Sequence, residues 1–212
     1  GLHVYESGAV VLALEEDPHE PPARPFHVEA LPEEAAREAV RLARRLALPL
    51  EGYTADGGFF VEGDSPLLEA HQRLLGVEAE GADLLRLSSP LVRLQVLAEG
   101  EAPVERLLEA LPRGLQAHVA ESPKMPGVRF VSLTKEGVSK LSAARLVAEA
   151  YGLPLSECAM VGDGENDLEL LRAVGVGIAM GNAPPSVKRA AQRVVAPVEA
   201  CGLAEALRLL RG

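Results

Sequence analysis

From Ser139 to the C-terminus, short apolar runs of strand length alternate with apolar residues at helical spacing, and that alternation leaves few folds open. The units read as a helix over 139–151, a strand over 158–162, a helix over 167–173, a strand over 176–180, a helix over 185–191, a strand over 193–196 and a final helix over 202–210. A helix between consecutive strands makes each connection a crossover, so the strands run parallel and the helices cover them. The expected fold class is α/β, with this stretch forming half of a doubly wound parallel sheet.

Upstream the order is mixed. Residues 8–14 read as a buried strand, 15–25 as a polar, proline-rich connector, and Pro32–Leu46 as a surface helix with Glu33 and Glu34 at its start and Arg41, Arg44 and Arg45 towards its end. Two strands flank the Asp56-Gly57-Gly58 turn and a helix follows over 66–75. A strand over 91–98, a helix over 103–111 and strands over 115–121 and 128–134 complete an α+β module. With 48% hydrophobic residues in 212, the chain can bury a substantial core.

A formal net charge of -10 argues against nucleic acid as a partner, which needs a basic stripe. No apolar run approaches the roughly 20 residues that span a bilayer, and no basic segment followed by an apolar one opens the chain, so a cytoplasmic location is expected and a membrane partner is not. Cys158 and Cys201 are read as reduced and structural, with Cys158 buried in its apolar run. The five histidines show no metal-ligand spacing and are read as solvent-facing or incidental. The turns at 53–60 and at 122–129, the latter with Lys124 and Arg129, are read chiefly as hairpin and strand positions.

The chemistry concentrates in AMVGDGENDLELL, residues 159–171. An apolar strand ends at Gly162-Asp163 and a helix opens at Asn166-Asp167. The carboxyl ends of strands in a parallel sheet are where ligands bind. Asp163 and Asp167 there offer hard oxygen ligands to Mg²⁺, which keeps waters and takes few protein ligands. The same two residues also suit a plain turn and a helix cap. A calcium loop is excluded, because Leu168 stands where that loop needs Gly and Val174 where it needs Glu. In GVSKLSAARLVAEAYGL, Ser139 reads as an N-cap and Lys140 as the first helical residue. A lysine at the positive end of the helix dipole is electrostatically misplaced unless an anion such as phosphate sits beside it.

The succession GVSK, VGDGENDLELL, GVGIAMGNA, RVVAP and GLAEAL resembles the Cof-type branch of the haloacid dehalogenase superfamily phosphatases, over essentially all of residues 134–212. Glu6-Ser7-Gly8-Ala9 resembles that family's Asn-Gly-Ala strand opening, with Ser7 where Asn is usual. The resemblance implies a Rossmann-like core contributed by residues 1–26 and 134–212, with 27–133 an inserted α+β cap that selects substrates. It further implies that Lys140 neutralises the attacking carboxylate and the phosphoryl group, that Asp163 ligates Mg²⁺, that Asp167 is a second metal carboxylate, directly or through water, and that Asn166 binds phosphoryl oxygens. Asn182, in the Gly181-Asn182-Ala183 turn, is assigned either support of the site or a turn and cap role.

The family's nucleophile lies in an Asp-x-Asp-Gly-Thr strand. The aspartates here are Asp17, Asp56, Asp64, Asp83, Asp163 and Asp167, and no two are so spaced. The expectation is therefore an aspartyl-phosphate route whose nucleophile lies upstream of Gly1, hydrolysing a small phosphorylated metabolite such as a sugar phosphate, in a monomer or homodimer. A non-catalytic phospho-ligand binder and a sugar phosphomutase are the alternatives.

Overall fold

The computed structural model describes residues 1–14 and 24–211, which form two compact units, Gly1–Val138 and Ser139–Gly212. The first contains β1 (Leu2–Tyr5), β2 (Val10–Ala13), β3 (Arg24–Val28), α1 (Glu33–Arg45), β4 (Leu50–Thr54), β5 (Phe59–Glu62), α2 (Pro66–Leu75), β6 (Glu80–Gly81), β7 (Leu91–Glu99), α3 (Ala102–Glu109), β8 (Leu115–Ser122) and β9 (Met125–Lys135). The second contains α4 (Lys140–Ala150), β10 (Ala159–Gly162), α5 (Leu168–Ala173), β11 (Val176–Ala179), α6 (Pro185–Ala190), β12 (Arg193–Val194) and α7 (Gly202–Leu210). No helix among the described residues is long and apolar enough to cross a membrane.

In the first unit β1, β2 and β3 make one antiparallel sheet. Residues 15–23 of the expected connector lie outside the described residues, while Arg24 and Pro25 open β3. Pro25 lacks a backbone donor, and β3 is an edge strand of this sheet, where that lack is tolerated. The larger sheet has the order β6-β5-β4-β7-β9-β8. Alternation along its central strands sends Leu94, Val96, Ala98, Val131 and Leu133 to one face, where they pack with Ala39 and Val40 of α1 and Leu107 of α3.

The opposite face is built differently. Cross-strand pairing sets Glu51 against Gln95, Tyr53 against Arg93, and Gln95 against Ser132. Glu51, fully buried, accepts hydrogen bonds from the Tyr53 hydroxyl at 2.8 Å, the Gln95 amide at 2.8 Å and His71 Nδ1 of α2 at 2.7 Å. The Arg93 guanidinium lies 3.9 Å from the centroid of the Tyr53 ring and donates to Glu6 at 2.7 Å. Burial pushes the Tyr53 phenol well above its ordinary range, against the opposing charge of Arg93. His71 is thus a correction to the reading of all five histidines as solvent-facing or incidental. Sequence spacing conceals it because its partner lies on another element.

The second unit carries the alternation expected of it. β10, β11 and β12 pair in parallel, in that order. Leu171 and Val187 from α5 and α6 bury against Ala179, while Ile178 and Met180 pack with Val195 and Ala206 of α7. Cys158 is half-buried and Cys201 exposed, which corrects the expectation that Cys158 is interior.

Replacing Glu51 by Ala removes the acceptor shared by three donors in a dry site. The loss expected is about 3–5 kcal/mol, read as a lowered urea midpoint. A variant within 1 kcal/mol of the parent, on that order-of-magnitude scale, contradicts the assignment of Glu51 as the hub of this face.

Candidate active site

The site grows from the starts of two helices brought together within the second unit. At the start of α4, the Ser139 hydroxyl accepts from the Ser142 N–H at 3.1 Å, and the Ser142 hydroxyl accepts from the Ser139 N–H at 2.8 Å. This reciprocal cap fixes the first helical turn and therefore the origin of the Lys140 side chain. From there the ammonium reaches Asp167 Oδ1 at 2.6 Å. The misplacement of a lysine at a helix N-terminus is thus offset by an anion of the chain itself.

Asp167 arrives from the other side. After Gly162 the chain turns through Asp163 and Gly164 into a single 3₁₀ turn, Glu165–Asp167, that leads into α5. Asp167 Oδ2 accepts from the backbone N–H groups of Asp163 and Gly164, each at 3.1 Å. Both carboxylate oxygens are therefore engaged, and the side chain is only 5% exposed. This arrangement dictates the residue before it. A Cβ on Gly162 would lie 2.7 Å from Asp167 Oδ2 and 2.8 Å from its Cβ, closer than a side chain can come. Glycine at 162 is what lets the loop wrap around its own carboxylate.

Asp163 and Asn166 are both exposed. Asp163 Oδ2 accepts from the Asn182 amide at 3.3 Å, and the Ser186 hydroxyl donates to Glu165 at 2.9 Å, so the acidic loop is tied to the turn that follows β11 and to the first turn of α6. The structure thus joins Lys140 directly to Asp167, places Asp163 on the same loop through its backbone N–H, and leaves Asn166 at the loop's exposed crest. Glu165 and Ser186 escaped the sequence reading, since neither belongs to a recognisable pair until the two turns are seen together.

The donor set is hard and oxygen-based. No group of three or more His, Cys, Asp or Glu side chains suited to a metal occurs among the described residues. An exposed carboxylate on a short loop, with a second carboxylate behind it, fits an ion such as Mg²⁺ that retains most of its waters.

Residues 23–207 match the family model of the haloacid dehalogenase-like hydrolases. A Haemophilus influenzae protein whose name assigns it provisionally to the phosphatases is 27% identical over 198 residues, 93% of this chain and 71% of that one. The solved structure of a Bacteroides thetaiotaomicron member of the phosphatases of the haloalkanoate enzyme superfamily is 26% identical, covering 95% of this chain and 70% of its own, with a TM-score of 0.76. A subclass IIB sugar phosphatase matches in fold with a TM-score of 0.77 at 21% identity, over 96% of this chain and 73% of its own.

Replacing Lys140 by Met strips the counter-ion from a carboxylate that stays in its pocket. The expected cost is about 1–3 kcal/mol, below the full penalty of a buried pair because the lysine itself is partly solvated. Asp163→Asn, at an exposed position, should cost under about 0.5 kcal/mol. Thermal denaturation of the two variants side by side checks the contrast, and equal costs would contradict the division of labour described here.

Proposed function

The chain belongs to the haloacid dehalogenase-like hydrolase family and is an enzyme of its phosphatase type, and on that premise we propose that it hydrolyses a small phosphorylated metabolite, of the sugar phosphate class, with Mg²⁺ as cofactor. One observation carries the reading: the Lys140 ammonium, 2.6 Å from Asp167, and the Asp163-Gly164 backbone converge on a single carboxylate. A cation and an acidic loop are thereby locked into one constellation at the end of a parallel strand, where open α/β sheets bind ligands.

In this reading Asp163 holds the metal directly through its exposed carboxylate. Asp167 acts as the second metal carboxylate through a coordinated water, because its own oxygens already serve Lys140 and two backbone donors. The bound ion supplies neutralisation of charge on the transferring phosphoryl group. Lys140 has two further N–H donors beyond the one given to Asp167, and these are directed by proposal to the phosphoryl oxygens and the attacking carboxylate. Asn166 donates its amide to the same oxygens.

The attack itself requires a carboxylate nucleophile, and none of the six aspartates of this sequence stands in an Asp-x-Asp pair. The same absence is what favours the second reading, a protein that binds a phosphorylated ligand without turning it over. The reading further takes residues 27–133 as the substrate-selecting cap and 1–26 with 134–212 as the core, in a cytoplasmic monomer or homodimer.

The natural full-length protein, supplied with Mg²⁺ and a panel of sugar monophosphates, is expected to release inorganic phosphate, and chelation of the metal to abolish the release. Asp163→Asn should lower kcat by about 100-fold or more. Saturable binding of a phosphorylated sugar with no phosphate released would sustain the binding reading instead.

A further inference from the structure

The carboxylate that the proposed function gives to the metal is not left to solvent. Asn182 Nδ2 donates to Asp163 Oδ2 at 3.3 Å, and Asn182 Oδ1 accepts from the Val198 N–H at 3.1 Å. The second bond settles the orientation of the amide. A backbone N–H demands the oxygen side, so the nitrogen side is the one turned to Asp163.

Both supports of this amide are held by backbone contacts. A Cβ on Gly181 would lie 2.6 Å from Pro197 N and 2.8 Å from Val195 O, which means that the backbone before Asn182 runs directly against the backbone before Val198. The Gly181 N–H donates to Ala196 O at 3.2 Å, and the Ala196 N–H donates to Glu205 of α7 at 2.8 Å. The turn at 197–200 is thus held from both sides while presenting the Val198 N–H outward. As the first residue of its 3₁₀ turn, Val198 has no use for that N–H within the helix.

We infer that Asn182 is a positioning residue for Asp163, set by the Val198 N–H, and that it holds the carboxylate in the rotamer that receives the metal. The inference rests on the reading of Asp163 as a Mg²⁺ ligand. It assigns to a turn outside the acidic loop a share of the site's metal affinity, in the way that outer partners orient ligating carboxylates.

Two substitutions isolate the relay. Asn182→Ala removes the donor to Asp163. Val198→Pro deletes the N–H that orients Asn182 and otherwise changes only a side chain that is 60% exposed, and the site accepts proline: Pro197 already sits at φ -67° and ψ 168°, the extended geometry that a following proline requires, and position 198 begins a helical turn. Titration calorimetry of Mg²⁺ into the natural full-length protein should show affinity weakened about 10-fold by Asn182→Ala and about 3-fold by Val198→Pro. The metal-free melting midpoint should move by no more than about 3 °C in either. Wild-type Mg²⁺ affinity in either variant, with Asp163→Asn still abolishing binding, overturns the inference and leaves the proposed function standing. Unchanged Mg²⁺ affinity in Asp163→Asn overturns both.

Discussion

The second unit is organised around one carboxylate. Asp167 takes a charged hydrogen bond from Lys140 at 2.6 Å and two backbone hydrogen bonds from Asp163 and Gly164, and it does so almost out of reach of water. A buried carboxylate without partners is strongly disfavoured, so these bonds are a condition of the fold as much as of the site. They join the start of α4 to the start of α5, elements separated by β10. Both oxygens of Asp167 serve the chain, whereas Asp163 and Glu165 are the acids that the loop exposes.

The larger sheet of the first unit shows the same principle in another form. One face is apolar and carries α1 and α3, whereas the other carries Glu51, Tyr53, Arg93, Gln95 and Ser132 in direct cross-strand contact. No buried side-chain polar atom among the described residues lacks a partner. Networks of this kind are demanding, since every member depends on the register of three strands at once. A slip of one residue would send Glu51 and Gln95 to the apolar face packed by α1 and α3. The second face, which also buries Leu97 and Phe130 against Leu68 of α2, therefore adds polar constraints on register to those the apolar residues of both faces impose.

The parts of this architecture that sequence reveals are those encoded locally. The helix over 66–75 was legible because Ser65 caps it, Pro66 sits in its first turn and Gly76 closes it with a left-handed φ of 68°. The capped start of α4 at Ser139 and Lys140 was legible in the same way, as was the acidic loop, whose Gly-Asp-Gly spacing has a steric reason in the room Asp167 needs. What escaped depends on contacts between distant segments. His71 finds Glu51 across 20 residues, Gln95 finds it across 44, and Asn182 meets Val198 across 16. No pattern within a window reports such pairs, because they exist only once the strands have taken their places. β3 was missed for a different reason: its Pro25 mimics a connector, and only the edge position makes it admissible.

The fit between Gly162 and the Asp167 carboxylate constrains how this loop can change over generations. Any side chain at 162 must displace Asp167, and any displacement of Asp167 strands Lys140 opposite an empty partner. Substitutions at 140, 162 and 167 are therefore coupled, and their costs do not simply add.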